Sequence, residues 1–224
     1  MNRIFRGSVF GIAVGWLLVG LIGCGGKEEE GVQDTDFAPV VEKVLQNKID
    51  LVKRLIAANP RIIESITNMN EENKNITFSE IKKLDDDWMT TGAENKVKDL
   101  LSNDASNLLM EFQDDNDGFS EIFITDANGQ IASLTNKTSD YYQAVLATNK
   151  SGTLLLRGFS HGGIEYDQSA LAEAIAIYVP ILDPDTEAAI GVMKVIVDFT
   201  AIKMDLKVSV HATSSASETE KISS

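Results

Sequence analysis

The sequence predicts an α+β domain in which helices come first and an antiparallel sheet of about five strands follows. Three observations carry this. From residue 36 to about 113, apolar residues recur at helical spacing. At Asp114 the pattern changes to short, alternating, β-rich runs separated by hairpin turn signals. The strands follow one another through turns rather than through repeated βα units, which argues against a doubly wound sheet.

Ahead of that domain, Arg3 and Arg6 form a short basic region, and Val9 to Ile22 is almost wholly apolar. That run is shorter than the roughly 20 apolar residues a spanning helix needs, and it fits a signal-peptide core. It ends in Leu21-Ile22-Gly23-Cys24, which resembles the bacterial lipobox. The resemblance implies a signal peptide over 1–23, cleavage before Cys24 and lipid on Cys24. Cys24 is the sole cysteine, so no disulfide forms within the chain, and lipidation explains why an exported protein carries an odd one. Several acyl chains, each contributing roughly 0.8 kcal/mol per buried CH₂, would hold the chain to a membrane without crossing it. Residues 24–35 read as a polar, flexible tether. Gly25, in place of the Asp that favours inner-membrane retention in enteric bacteria, leans toward the outer membrane.

The domain is expected over 36–207. Asp36 is a suitable N-cap for a first helix whose apolar face includes Phe37, Val41, Leu45, Val52 and Ile56, and Asn59-Pro60 ends it. A second helix is expected over about 61–68. Thr77-Phe78-Ser79-Glu80 reads as a capping box opening a third helix through Trp88. Two further helices are expected near 94–101 and 104–113. Strands are expected at 119–125 and 130–135, joined through Asn128-Gly129, then a helix over 140–148, and strands over 153–159, 170–182 and 189–199. Asp183-Pro184-Asp185-Thr186 makes the last turn. A short helix over 200–207 closes the domain, and 208–224 is a Ser/Thr-rich tail.

The formal net charge is −14. That excludes nucleic acid as a partner, since phosphate binding needs a basic face, and it leaves lipid rather than charge to hold the chain at a membrane. No metal or cofactor site is expected. Asp115, Asp117, Gly118 and Glu121 approach EF-hand register, but the first and last ligand positions would be Gln113 and Ile124, so a solvated acidic turn is expected. His161, Glu165 and Asp167 are too sparse for a metal site. Gly158-Phe159-Ser160-His161-Gly162 matches G-x-S-x-G, but no helix signal follows and the one later histidine is His211 in the tail. A Ser160 hydrolase is therefore a remote alternative, and the chain is read as a non-enzyme.

Two residues on the predicted strands suit a small ligand. Arg157 ends an apolar strand, where a guanidinium grips a carboxylate. Asp198 ends the last strand, where it would take an ammonium group.

The order of elements and several motifs resemble an extracytoplasmic Cache sensor domain of the PDC, PAS-like class, over about 37–202. The motifs are Ala57-Ala58-Asn59-Pro60, Leu84-Asp85 with Trp88, Phe119 to Gly129, Thr138-Ser139-Asp140-Tyr141-Tyr142-Gln143, and Tyr178-Val179-Pro180-Ile181 followed by Ile190-Gly191-Val192. The resemblance implies a long N-terminal helix packed on a five-stranded antiparallel sheet. It implies a small molecule, a carboxylate or amino acid, bound between the sheet and its covering loops. Tyr141 and Tyr142 fall where such domains cover the pocket, and Tyr178 lies on the long strand. A periplasmic or cell-surface sensor in signal transduction follows, with its state relayed to a partner signalling protein. Two departures support an alternative, a degenerate scaffold that acts only through protein contacts. Ala144 to Lys150 carries neither the tryptophan nor the acids expected after Gln143, and Ala174-Ile175-Ala176-Ile177 is aliphatic where polar pocket residues are common.

Overall fold

Five helices precede the sheet in the computed structural model, which describes residues 37–90, 93–143, 146, 158–167 and 171–207. The signal segment, Cys24, the tether, Arg157, most of the expected 144–157 elements and the 208–224 tail with His211 lie outside the described residues.

Helix α1 (Pro39–Ala58) begins later than expected. Pro39 occupies the first helical position, where its fixed φ is favourable and its missing N–H costs nothing. Ala38 is the N-cap, with no side-chain cap. The Phe37 N–H instead donates to Glu42 Oε1 at 3.0 Å. Asn59 separates α1 from α2 (Pro60–Glu72). The second helix runs past the expected 61–68 because its last turn has tertiary partners. Asn70 donates to the Ile190 carbonyl and accepts from the Ala127 N–H.

The capping box forms as expected. Glu80 Oε2 accepts from the Thr77 N–H and hydroxyl at 2.8 and 2.7 Å, and the Glu80 N–H donates to Thr77 Oγ1, opening α3 (Phe78–Thr90). Helix α4 spans Glu94–Leu101, and α5 spans Asp104–Asp115 with Asn103 accepting from the Ser106 N–H.

Strands β1 (Phe119–Thr125), β2 (Ile131–Leu134), β3 (Ser160–Asp167), β4 (Ala172–Leu182) and β5 (Ala189–Asp198) form one antiparallel sheet in the order β2-β1-β5-β4-β3. A helix over 199–207, α6, follows. Asp126 builds the β1–β2 turn: its carboxylate accepts from the N–H groups of Asn128 and Gln130 and from the side chains of Gln130 and Asn73. Gly129 sits there at φ +85°, a conformation glycine reaches without a Cβ penalty.

Two expectations fail. Residues 140–143 are not helical. Tyr142 forms a bridge with Gln130, and the N–H groups of Tyr141 and Tyr142 both donate to Asp85 Oδ1 on α3. The segment thus gains an Asp cap and a strand partner, which outweigh its helical spacing. Second, 158–159 is not strand and 160–167, expected as a Gly-rich loop, is β3. The register shift between His161 and Ile164 absorbs Gly162-Gly163 as a bulge, so the glycines mark a kink inside a strand.

The sheet has two unlike faces. Ile122 and Ile124 of β1, Met193, Val195 and Val197 of β5, and Ile175, Ile177, Val179 and Ile181 of β4 pack with α1, α2, α5 and α6 into one aliphatic core. On the other face Phe123, Val192, Ile131, Leu134 and Tyr141 pack under Trp88 of α3, with Val97 and Leu100 of α4 against them. That cover lies over the β1–β2 half. No helix of the described residues is long and apolar enough to cross a membrane.

Candidate functional site

Beyond the α3–α4 cover, the second face of β3, β4 and β5 bounds a cavity of about 100 Å³. Strand pairing fixes its floor. Ala174, Ala176 and Tyr178 of β4 stand opposite Asp198, Ile196 and Lys194 of β5. Two alanines leave room above the sheet where larger side chains would fill it. Tyr178 and Lys194, directly opposed, bring a phenol and an ammonium to one wall. Glu165 and Asp167 of β3, paired to Ala174 and Ala172, bring carboxylates to the other.

The electrostatics follow from burial. The Tyr178 hydroxyl is pushed up to about 12, first by desolvation and then by the Glu165 charge, so it is a neutral hydrogen-bond donor at physiological pH. Lys194 is half-buried, and its Nζ lies 5.3 Å from the Phe123 ring centroid, which steadies a cation on the cavity side of the sheet. The site therefore offers two donors on one wall and two acceptors on the other. Its volume is far below the roughly 300–1,000 Å³ of a drug-sized pocket, so it suits a compact ligand.

The residues expected from sequence do not all meet here. Tyr178 lines the cavity. Asp198 is on the same face, but its Oδ1 accepts from the Thr200 N–H at 2.6 Å and caps α6. Tyr141 is 1% exposed and packs against Trp88, under the helical cover. Tyr142 stacks edge-on with Phe78. Arg157 lies outside the described residues. Sequence reasoning missed Lys194. Its signal is a lone cation in a strand that is otherwise apolar from Ile190 to Val197, on the register of Val192 and Ile196 rather than of the core residues.

Ser160 is not set on a nucleophile elbow. The chain continues as β3 instead of turning into a helix, and adjacent strand residues point to opposite faces. His161 accordingly faces α1, where Nε2 lies 3.3 Å from Glu42 Oε2 and the ring stacks on Phe37. No grouping of His, Cys, Asp and Glu able to hold a metal occurs among the described residues.

No protein-family model matches the chain, and no curated protein matches it. Among solved structures it is similar to the extracellular domain of rpHK1S-Z16, at 14% identity and TM-score 0.38 over 54% of each chain. It is similar to the ligand-binding domain of the Campylobacter jejuni chemoreceptor Tlp3 in complex with 4-methylisoleucine, at 13% identity and TM-score 0.33 over 75% of this chain and 64% of that one. The sensor domain of the V. cholerae histidine kinase DctB gives 10% identity and TM-score 0.35 over 73% of this chain and 59% of that one. The chain thus spans less than two thirds of each.

Proposed function

We propose that this chain is a lipid-anchored, extracytoplasmic sensor domain whose sheet cavity binds a compact carboxylate or amino acid and relays occupancy to a partner protein. The observation that carries the reading is the Tyr178–Lys194 pair standing across β4 and β5 over an alanine floor, with Glu165 and Asp167 opposite. A ligand carboxylate takes the Lys194 ammonium and the Tyr178 hydroxyl, a charge-assisted pair of bonds. A ligand ammonium takes Glu165 or Asp167. Arg157, from the segment leading into β3, is a further carboxylate partner in this reading, whereas Tyr141 and Tyr142, held against Trp88 and Phe78, stand outside this cavity.

The relay uses β3. This edge strand carries both cavity acids on one face and His161 on the other, and His161 touches Glu42 in the first turn of α1. A ligand that draws β3 inward therefore shifts the start of α1, which is continuous in sequence with the tether and Cys24. The lipobox-like Leu21-Ile22-Gly23-Cys24 supports the anchor.

Thermal denaturation against a panel of small carboxylates and amino acids tests the binding. At least one should raise the melting temperature of the wild type and leave Lys194→Met unmoved; a panel that stabilises nothing sinks the reading. Metabolic labelling with a fatty acid tests the anchor, and label that persists in Cys24→Ala removes it. The cavity's small volume favours a second reading, a scaffold acting only through protein contacts, which a panel-wide failure to bind would leave standing.

A further inference from the structure

At the β2 edge of the sheet, the edge away from the β3–β5 cavity, an open groove of about 530 Å³ runs beside α4. Its volume lies within the roughly 300–1,000 Å³ of small-molecule sites. One side is a stripe of α4. Glu94, Val97, Lys98 and Leu101 follow one another three and four residues apart, so they share one helix face, and Ser102 ends it. The other side is Lys137, three residues past the end of β2.

The α4 side is apolar and left unfinished by the fold. Val97, Leu100 and Leu101 pack against the Trp88 cluster, yet no residue of α4 is fully buried. Val97 and Leu101, one turn apart, therefore remain open to the groove. From Glu94 to Leu101 the stripe runs about 10 Å at 1.5 Å per residue, a length along which an extended alkyl chain can lie.

The charge in the lining is the reverse of the chain's. The sequence has 34 acids and 20 bases, but Lys98 and Lys137 stand here against Glu94 alone. Lys98 is exposed. Lys137 is held in place: its Nζ donates to the Trp88 carbonyl at 3.0 Å and lies 5.4 Å from the Trp88 ring centroid. An ammonium has three N–H donors, so two remain for a ligand. A bare anion would leave Val97 and Leu101 uncovered, and a hydrophobic cation would meet two like charges. An apolar stripe with two lysines suits one chemistry, an aliphatic chain with an anionic head.

We propose that the α4 groove binds a single-chain aliphatic carboxylate of the fatty-acid class. Its chain lies along Val97 and Leu101, and Lys98 and Lys137 take its head group. The site shares no lining residue with the β3–β5 cavity, and the proposal does not rest on that cavity's reading.

Photolabelling of the full chain in detergent tests this, with a ten-carbon carboxylate bearing a diazirine on its chain and peptide mass spectrometry to place the label. Label should concentrate on residues 94–102 and fall when decanoate competes. Lys98→Met combined with Lys137→Met should raise the decanoate concentration for half-competition by about tenfold or more. The same pair should leave competition by decanol, which has the chain without the charge, unchanged. Each competitor is compared with itself across two proteins, so its partition into detergent cancels. Lys194→Met should leave the label in place. Label spread along the chain with no preference for 94–102 overturns the proposal, as does equal decanoate competition in wild type and the double variant. Should the double variant fail to fold, Lys98→Met alone decides, with a rise of about threefold expected and no rise contradicting.

Discussion

The two faces of one sheet are built to different rules. Against α1 the sheet presents mainly aliphatic side chains, with Ile122, Ile124, Val195, Ile175, Ile177 and Val179 in one core with Leu45, Ile49 and Val52, and His161 at the β3 edge. On the opposite face, aromatic residues alternate with charge. Phe123 and Tyr141 lie beneath Lys194 and Lys96, and Trp88 lies beneath Lys137. The first arrangement gains stability from burial of apolar area. The second keeps polar groups in low-dielectric surroundings, where their interactions are strong and their desolvation is costly. In the proposed reading one face holds the stability and the other carries the recognition, a contrast that substitutions can break or sharpen.

The largest effect should come from the aliphatic face. Ile177→Ala or Leu45→Ala, each at a fully buried position, should cost about 2–5 kcal/mol in denaturant unfolding. A loss below 1 kcal/mol would mean that this face is not the main core. Gly191→Ala should follow, since an added Cβ would collide with the Thr125 carbonyl oxygen. Forcing β1 and β5 apart should cost about 1–3 kcal/mol, and a neutral result would show that the β1–β5 pairing yields easily.

Substitutions on the other face should separate stability from binding. Lys194→Met should change unfolding free energy by less than about 1 kcal/mol, as expected for a half-buried side chain outside the aliphatic core. A large destabilisation would erase the contrast between the faces.

Alkaline titration sharpens it further. Burial raises both the Tyr178 and Tyr141 hydroxyls, Tyr178 to about 12 against an ordinary value of 10. The folded state therefore holds these protons more tightly than the unfolded chain. Their contribution is full below pH 10 and is lost as pH rises from 10 toward 12 and beyond. Tyr178→Phe and Tyr141→Phe should each flatten the fall of stability across that range. The smallest effect lies at the capping box. Bonds from Thr77 hold the exposed Glu80 carboxyl below its ordinary value, so its contribution is present at neutral pH and fades as pH drops through the folded value. Glu80→Gln should remove this slight acid dependence.

Much of this fold was legible because local signals and tertiary packing agree. Thr77 to Glu80, Asn128-Gly129 and the Phe119–Thr125 alternation each specify one conformation, and the chain adopts it. Residues 140–143 were misread because their partners, Asp85 and Gln130, are distant in sequence, and no spacing rule contains them. Gly162-Gly163 was misread because a glycine pair signals a loop unless a neighbouring strand, here β4, turns it into a bulge. The site was half legible. Tyr178 could be placed on a long strand from its own neighbours. Lys194 showed in the sequence as a lone cation in an apolar strand, but its pairing with Tyr178 needed the register, and the cavity floor at Ala174 and Ala176 looked like plain aliphatic strand.

The most direct test of a recognition face opposite a stability face is calorimetric titration of the ligand that stabilises the wild type most, into wild type and Lys194→Met side by side. The account predicts a saturable heat in the wild type and a loss of at least tenfold in affinity in the variant, with both proteins unfolding at the same denaturant concentration. Undiminished affinity in Lys194→Met would contradict it.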